Sequence, residues 1–326
     1  MSKQYLTLHT IDKAHPLEIF SLALTSSQLI SCSGASSLKV HSTTEPDFPL
    51  VQSIDGAHKI GCHHLVASRD GTRLVSVGFG GEVRVWSSLA GGVWVADEGI
   101  GDAVGGGKGE SKLKVSGVWA AALSVDGEYL AGTTLDGHIK VWHIDGAGKG
   151  NNVSQIRDLE TKGSFGMCID LSADGSLTAS GHANGNIFMF RNETGRMIHS
   201  LSGLASPVRA VSFSPGGKLL AAAGDSRVIQ LYETSSGEQV AMLTGHGSWI
   251  TSLDWSHSGE FLLSSALDGK VKVWSIERRV CVATHSESDA AIWSAKWLPK
   301  VGGSAEKFVT ANAKGGITFY REATGG

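Results

Sequence analysis

At 326 residues the chain is long enough for two ordinary domains, yet its formal net charge is only −3 and it holds neither a basic nor an acidic block. That balance argues against a duplex nucleic-acid surface and against a membrane surface. Glycine is abundant at 43 and proline scarce at 6, and the four cysteines, Cys32, Cys62, Cys168 and Cys281, lie far apart with no C-x-x-C, which favours free thiols in a reducing compartment over a disulfide frame or a zinc site. The opening MSKQYLTLHTIDKAH lacks a signal-peptide core, and no apolar run reaches the ~18 residues of a membrane span. A soluble, intracellular protein is expected, with neither metal nor cofactor.

In chain order, the first extended run is Tyr5 to Ile11, which precedes Ala14-His15 and has no neighbour to pair with. From there, short runs with period-two patterning alternate with glycine-bearing turns, the pattern of antiparallel strands in a meander. A ring closes the third run of every unit: His41, Trp86, Trp142, Phe190, Tyr232, Trp274 and Tyr320. The units recur at roughly 40 to 45 residues, longer where insertions fall, which is a repeat architecture. Seven units of about four strands make an all-β, seven-bladed β-propeller over residues 1–326 as a single domain. After Tyr320 only REATGG remains, too little for a fourth strand. Tyr5 to Ile11 is therefore expected to pair with Gly316 to Tyr320 and close the ring, which removes two sheet edges.

Two stretches exceed a turn. Residues 98–114, EGIGDAVGGGKGESKLK, form a glycine-rich insertion between the second and third units, and residues 145–152 form a shorter one. A phosphate-cradling loop needs G-x-x-x-x-G-K-[ST], but Lys108 is followed by glycine and no strand-loop-helix surrounds it. The longer insertion reads as a mobile surface loop.

The most complete unit runs from Thr244 to Ile276, with Gly245-His246 at its start, a turn at Asp268-Gly269 and Trp274 closing its third run. It resembles the WD-repeat family through His246, Ser264, Asp268 and Trp274. The resemblance implies a buried hydrogen-bonded tetrad in which the imidazole bridges the aspartate and the hydroxyl, and the hydroxyl meets the indole. The four are thus structural and no residue is assigned to catalysis. At the aspartate position the other units carry Ala35, Gly80, Asp136, Asn184, Ser226 and Lys314, and at the serine position Ser31, Ser76, Gly132, Ser180, Ala222 and Thr310. One complete tetrad is expected, the other blades being held by packing through residues such as Leu74, Leu130, Leu177, Leu219 and Phe261.

An enzyme would need converging titratable groups. His63 and His64 invite a metal, but neighbours on one strand face opposite sides, so the pair is not expected in one site. A binding surface is better supported. In WD propellers the residues opening each first strand, and the one before the turn aspartate, ring one mouth of the channel. Aligned on Trp249 and Thr251, the outer set is Glu18, Gly61, Gly117, Phe165, Pro207, Trp249 and Ala291, and its partner set is Phe20, His63, Trp119, Met167, Arg209, Thr251 and Trp293. The position before the turn adds Phe79, Leu135, Ala183, Asp225, Leu267 and Ala313. So many aromatics at solvent-facing places form the pattern of a peptide-binding hot spot, whereas Trp255 and Trp297, four places further along, are assigned to the core.

The last four blades, with SFGMCIDLSADGSLTASGHANGNIFMF, LSGLASPVRAVSFSPGGKLL, LTGHGSWITSLDWS and KVKVWSIERRVCVATH, and the opening QYLTLHTIDKAHPLEIFSLAL, resemble the family of WD-repeat subunits of the Ski (superkiller) complex. The resemblance is weak over residues 88–116. It implies a scaffold, cytoplasmic and nuclear, that joins a tetratricopeptide-repeat scaffold protein and an RNA helicase in feeding mRNA to the exosome for 3′ to 5′ decay. Fungal members also bind a meiotic topoisomerase-like protein that makes recombination-initiating DNA breaks. Both fungal partners present a Gln-Arg-x-x-hydrophobic segment to the aromatic face. Here Phe20, Trp119 and Trp293, with Trp249, Phe165, Arg209 and Leu267 around them, would hold the anchor, and Glu18 or Asp225 would receive the arginine. An adaptor of another complex, such as a ubiquitin-ligase receptor or a chromatin or transcription-elongation subunit, is the alternative, and a propeller enzyme a remote one.

Overall fold

The computed structural model describes residues 3–97, 117–145, 152–162, 164–286, 289–300 and 304–323. The insertion at 98–114 lies outside the described residues, as do residues 146–151 of the shorter one.

Among the described residues all regular structure is β. After β1 (Tyr5–Ile11), blade 1 comprises β2 (Ile19–Leu24), β3 (Gln28–Ser33), β4 (Leu38–Ser42) and β5 (Leu50–Ile54). Blade 2 holds β6 (Cys62–Ala67), β7 (Arg73–Gly78), β8 (Val83–Ser88) and β9 (Trp94–Ala96), and blade 3 holds β10 (Val118–Leu123), β11 (Tyr129–Thr134), β12 (His138–Asp145) and β13 (Asn152–Glu160). Blade 4 is β14 (Gly166–Leu171), β15 (Leu177–His182), β16 (Ile187–Arg191) and β17 (Arg196–Leu201). Blade 5 is β18 (Val208–Phe213), β19 (Leu219–Gly224), β20 (Val228–Glu233) and β21 (Gln239–Thr244). Blade 6 is β22 (Ile250–Trp255), β23 (Phe261–Ala266), β24 (Lys270–Ser275) and β25 (Val280–Ser286), and blade 7 begins with β26 (Ile292–Trp297), β27 (Lys307–Asn312) and β28 (Ile317–Glu322).

Each of the first six sheets hydrogen-bonds in chain order, and the seventh has the order β1-β28-β27-β26. Tyr5 pairs with Glu322 and Ile11 with Ile317, so the N-terminal strand closes the ring as expected, on a β28 that starts at Ile317 and runs on to Glu322. Tyr5 anchors this closure. Its ring is buried against Phe308 and Trp297, with centroids 5.1 and 6.1 Å away, and Lys3 beside it bonds Glu306 and Glu322, each at 3.0 Å. β2 packs beside β26, which completes the circle.

The core is divided into seven parts, one at each junction of neighbouring blades. All seven closing rings from His41 to Tyr320 are buried. Leu74 and Leu130 are buried with them, whereas Leu177, Leu219 and Phe261 are half-buried and cover the cluster edges. Cys32 and Cys62, distant in sequence, meet in the core between blades 1 and 2. All four thiols are free, and only Cys281 is exposed.

The tetrad of blade 6 is present. Trp274 Nε1 donates to Ser264 Oγ at 2.8 Å, Ser264 meets His246 Nε2 at 2.8 Å, and His246 Nδ1 faces Asp268 at 3.2 Å. An indole only donates and a carboxylate only accepts, so the chain runs one way, from Trp274 through Ser264 and His246 to Asp268. Ser264 is wholly buried, accepts from the indole and donates to His246, so this Ser-His-Asp trio satisfies polar groups inside the blade and presents no hydroxyl to a substrate.

The expectation of a single complete tetrad is corrected by blade 2. There His58 meets Ser76 at 2.8 Å, Trp86 donates to Ser76 at 2.9 Å, and the acid is Glu82, 3.2 Å from His58 Nδ1. The turn position holds Gly80, but the longer glutamate, starting two residues further on, reaches back to the same imidazole. It passes over Gly78 and Gly80, where a Cβ would collide with its carboxyl group. His–Ser pairs also persist in blade 1 (His15 and Ser31, 2.8 Å) and blade 4 (His182 and Ser180, 2.8 Å). Hydrophobic packing is therefore not alone in holding the divergent blades.

Candidate protein-interaction face

All seven first strands break register at the same place, between Ile19 and Ser21 in blade 1 and at the matching pairs through Ile292 and Ser294 in blade 7. Each is a β-bulge, and the residue it leaves without a cross-strand partner can project from the sheet. Those residues are Phe20, His63, Trp119, Met167, Arg209, Thr251 and Trp293, and together they line one channel cavity of about 380 Å³. The bulge also corrects the reasoning about His63 and His64. Instead of facing opposite ways, both reach the next blade, His63 Nε2 to Trp119 O at 2.8 Å and His64 Nε2 to Ala121 O at 2.9 Å. They are spent on backbone carbonyls, and among the described residues no group of three or more His, Cys, Asp or Glu could hold a metal ion.

The aromatic side chains form an arc. Trp293 lies 5.3 Å from Phe20, Phe20 is edge-on to Phe79 at 5.2 Å, and Phe79 is 4.9 Å from His63. His63 continues to Trp119 at 4.2 Å, and Trp119 is edge-on to Phe165 at 5.2 Å. Five blades thus contribute to one aromatic surface, with its members half-buried and Phe79 38% exposed. Phe79 and His63, on the face but given no anchoring role from the sequence, belong to the arc, and the pairing of the turn-preceding position with the bulged position of the same blade is the signal for them. Burial, then the neighbouring His64, pushes the His63 imidazole down to about 3. It is neutral at physiological pH and behaves as one more ring in the arc. With Nε2–H donated to Trp119 O, its Nδ1 is a buried acceptor without a partner among the described residues, and Trp293 Nε1 is a buried donor in the same condition.

The remaining two blades close the mouth with polar groups. Arg209 pairs with Asp225 and stacks 4.4 Å over Trp249, which is 43% exposed. Leu267 donates its amide to Trp249 O at 2.9 Å and lies half-buried beside it. Asp225 is therefore not the open acid expected of it, because Arg209 of the same blade already neutralises it. Glu18 is exposed and, among the described residues, its carboxylate has no partner. Trp255 and Trp297 are buried at 7% and 8% exposure, as assigned.

Deeper in the channel, Asp254 accepts from Lys296 Nζ at 2.8 Å and Trp297 N at 2.7 Å, and Asp170 accepts from Phe213 N at 2.8 Å. Crowding by protein around Asp170 pushes its carboxyl up to about 6, against the pull of the Phe213 amide and Lys296.

Comparison with known proteins agrees with this geometry. The WD domain, G-beta repeat family matches at residues 110–143, 195–233 and 237–275. Meiotic recombination protein rec14 of Schizosaccharomyces pombe is 41% identical over 325 residues, covering 99% of both chains. WD repeat-containing protein SL1-17 of Schistosoma mansoni is 33% identical over 97 residues, 30% of each chain. With seven blades in the ring and a similarity to rec14 that runs from end to end, this chain belongs to the WD-repeat β-propeller family of which rec14 is a member.

Proposed function

We propose that this protein is a non-catalytic scaffold, the WD-repeat subunit of a Ski complex, where it joins a tetratricopeptide-repeat scaffold protein and an RNA helicase in supporting exosome-mediated 3′ to 5′ mRNA decay. The same face serves meiotic recombination by binding the topoisomerase-like protein that makes DNA breaks. The protein works in cytoplasm and nucleus and contacts no nucleic acid or membrane directly. The observation carrying this reading is the continuous aromatic arc from Trp293 to Phe165 at the channel mouth, with the free carboxylate of Glu18 at its rim. A Gln-Arg-x-x-hydrophobic segment suits it: the hydrophobic residue enters the arc and the arginine meets Glu18. The whole-length likeness to a meiotic recombination protein supports the meiotic half.

Two experiments test the proposal. Affinity purification should bring down the repeat scaffold and helicase, and recovery of cullin-ligase or histone-modifying subunits instead would assign the face to another complex. A Gln-Arg-x-x-hydrophobic peptide, titrated against Trp119→Ala, Trp293→Ala and Glu18→Lys with native melting confirmed first, should lose at least ~30-fold in affinity on removal of a central aromatic, about 2 kcal/mol. Parent-like binding by all three variants would place the site elsewhere.

A further inference from the structure

Outer strands carry a bulge as well. In blades 4, 5 and 6 the register shifts between Met189 and Phe190, Leu231 and Tyr232, and Val273 and Trp274, and the residue left unpaired on the outermost strand is Ile198, Val240 and Val282 respectively. Each of these three packs on the core cluster at a blade junction. Blade 3 has the same bulge, between Val141 and Trp142, and the residue it releases is Ile156. Ile156 does not cover a junction; it is 47% exposed.

A cavity of about 310 Å³ lies beside it, between blades 3 and 4. Ala131, Val141, Leu159 and Leu171 give it an apolar floor, and Val125 and Tyr129, each 41% exposed, line it together with Ile156. The Tyr129 ring is steadied by His143, 5.0 Å away. Two exposed carboxylates line the same cavity, Asp126 from the turn after β10 and Asp174 from the turn after β14. The hydroxyls of Ser124 and Ser172 donate to them at 2.5 and 2.6 Å and hold both below the usual carboxylate range. The lining guanidinium, Arg157, donates to Glu193 O at 2.7 Å, so the lining residues carry two acids to one base. These turns stand at the ends of the first strands remote from the bulged mouth. Apolar surface gathered at one open cavity and rimmed by charge marks an interaction site, and the acidic rim selects a basic partner.

We infer that this cavity is a second docking site, independent of the aromatic face, for a partner's peptide segment in which one large apolar side chain is flanked by lysine or arginine. The apolar anchor covers Val141, Leu159 and Leu171 beside Ile156, the task that Ile198, Val240 and Val282 perform at the other junctions, and the flanking cations meet Asp126 and Asp174. The test is methyl NMR on protein labelled with 13C at the isoleucine δ1 methyls. Ile156 and Ile292, the latter beside Trp293 of the mouth, are each assigned by their valine variant. The probe is an acetylated, amidated Lys-Lys-Phe-Lys-Lys peptide, with Lys-Lys-Ser-Lys-Lys and Glu-Glu-Phe-Glu-Glu as controls. The probe should shift the Ile156 signal saturably at millimolar concentration and leave Ile292 in place, and both controls should bind at least ~10-fold more weakly. An Asp126→Asn/Asp174→Asn variant, which keeps an acceptor oxygen in each turn and loses two exposed ion pairs, should bind the probe at least ~3-fold more weakly. An unmoved Ile156 signal, an equal response to either control, a shift at Ile292 alone, or full affinity in the double variant would each overturn the proposal. So would a concentration-dependent Ile156 shift without peptide together with a dimer mass in sedimentation, which would give the cavity to a second copy of this chain.

Discussion

Removing the turn acid of blade 6 tests the buried network directly. Asp268→Ala deletes the acceptor of three N–H groups: His246 Nδ1 at 3.2 Å, Gly247 N at 2.7 Å and Lys270 N at 3.0 Å. The two amides belong to an open turn and regain water, but the His246 side chain has no exposed surface. One orphaned buried donor costs about 1–3 kcal/mol and each of the two bonds exchanged for water ~0.5–1 kcal/mol, so the sum is about 2–5 kcal/mol. Melting should fall by at most roughly 2–4 °C per kcal/mol. Glu82→Ala, which removes the His58 contact alone, should cost about 1–3 kcal/mol. A pH series adds a second reading. Burial disfavours the ionised form of Asp268, yet hydrogen bonds from His246 and Gly247 outweigh it and hold the carboxyl at about 2, below its ordinary 3.8. A folded-state pKa below the unfolded one means that the ionised carboxylate favours the fold. Its contribution is complete above about pH 4 and is lost as pH falls toward about 2. That gap is worth about 2 kcal/mol, in line with the sum from geometry. Thermal melts of parent and Asp268→Ala from neutral to acid pH would measure it. Equal melting at neutral pH, or a difference that persists undiminished at pH 2, would refute the reasoning.

Three further outcomes are expected. Deleting residues 1–12 should lower the melting temperature sharply, and Tyr5→Ala alone should cost about 3–5 kcal/mol; an unchanged melt of the deletion variant would contradict ring closure by β1. Because the folded-state pKa of Asp170 is raised to about 6, its contribution is intact below about pH 4 and is lost as pH rises through 6. Asp170→Asn, which can still accept from Phe213 N, should remove that decline, and a parallel pH dependence in parent and variant would exclude it. Since Arg209 already occupies Asp225, Asp225→Asn should leave the affinity for an arginine-bearing peptide within about 3-fold while Glu18→Lys weakens it at least ~10-fold; the reverse order, read by titration calorimetry, would return the acid role to Asp225.

The parts of the fold that the sequence made legible are those written in periodic apolar positions. The closing rings from His41 to Tyr320 set the register of seven blades, and a last unit one strand short located the partner of Tyr5 to Ile11. Both depend only on strand period and on the need to pair an edge, so they survive loss of tetrad residues. Interactions that jump the register were not legible. Glu82 replaces an acid missing at Gly80 from two residues away, which no positional alignment of blades reveals, because the longer side chain changes the offset. Arg209 and Asp225 each looked available, and only their placement at the mouth of one blade shows that they neutralise each other.

The channel mouth illustrates why a correct position can rest on an incomplete reason. Strict alternation sends His63 and His64 to opposite faces, yet a bulge places two residues against one, and both imidazoles turn to β10. The same bulge recurs in every blade, and it delivers Phe20, Trp119 and Trp293 to the channel when simple alternation would have to choose between each of them and its neighbour. A ring of seven bulges lets the first strands pair fully below the mouth while one side chain per blade is released above it. The pairing residues are bound by the ladder, whereas the released ones are not. A single scaffold can therefore carry aromatic residues over five blades and an Arg–Asp pair in a sixth without disturbing a strand. Among the bulged positions, Phe20 and Trp293 are where substitutions should change partner affinity while leaving the melting temperature close to that of the parent, and the residues further along the first strands, Trp255 and Trp297, are where the opposite holds.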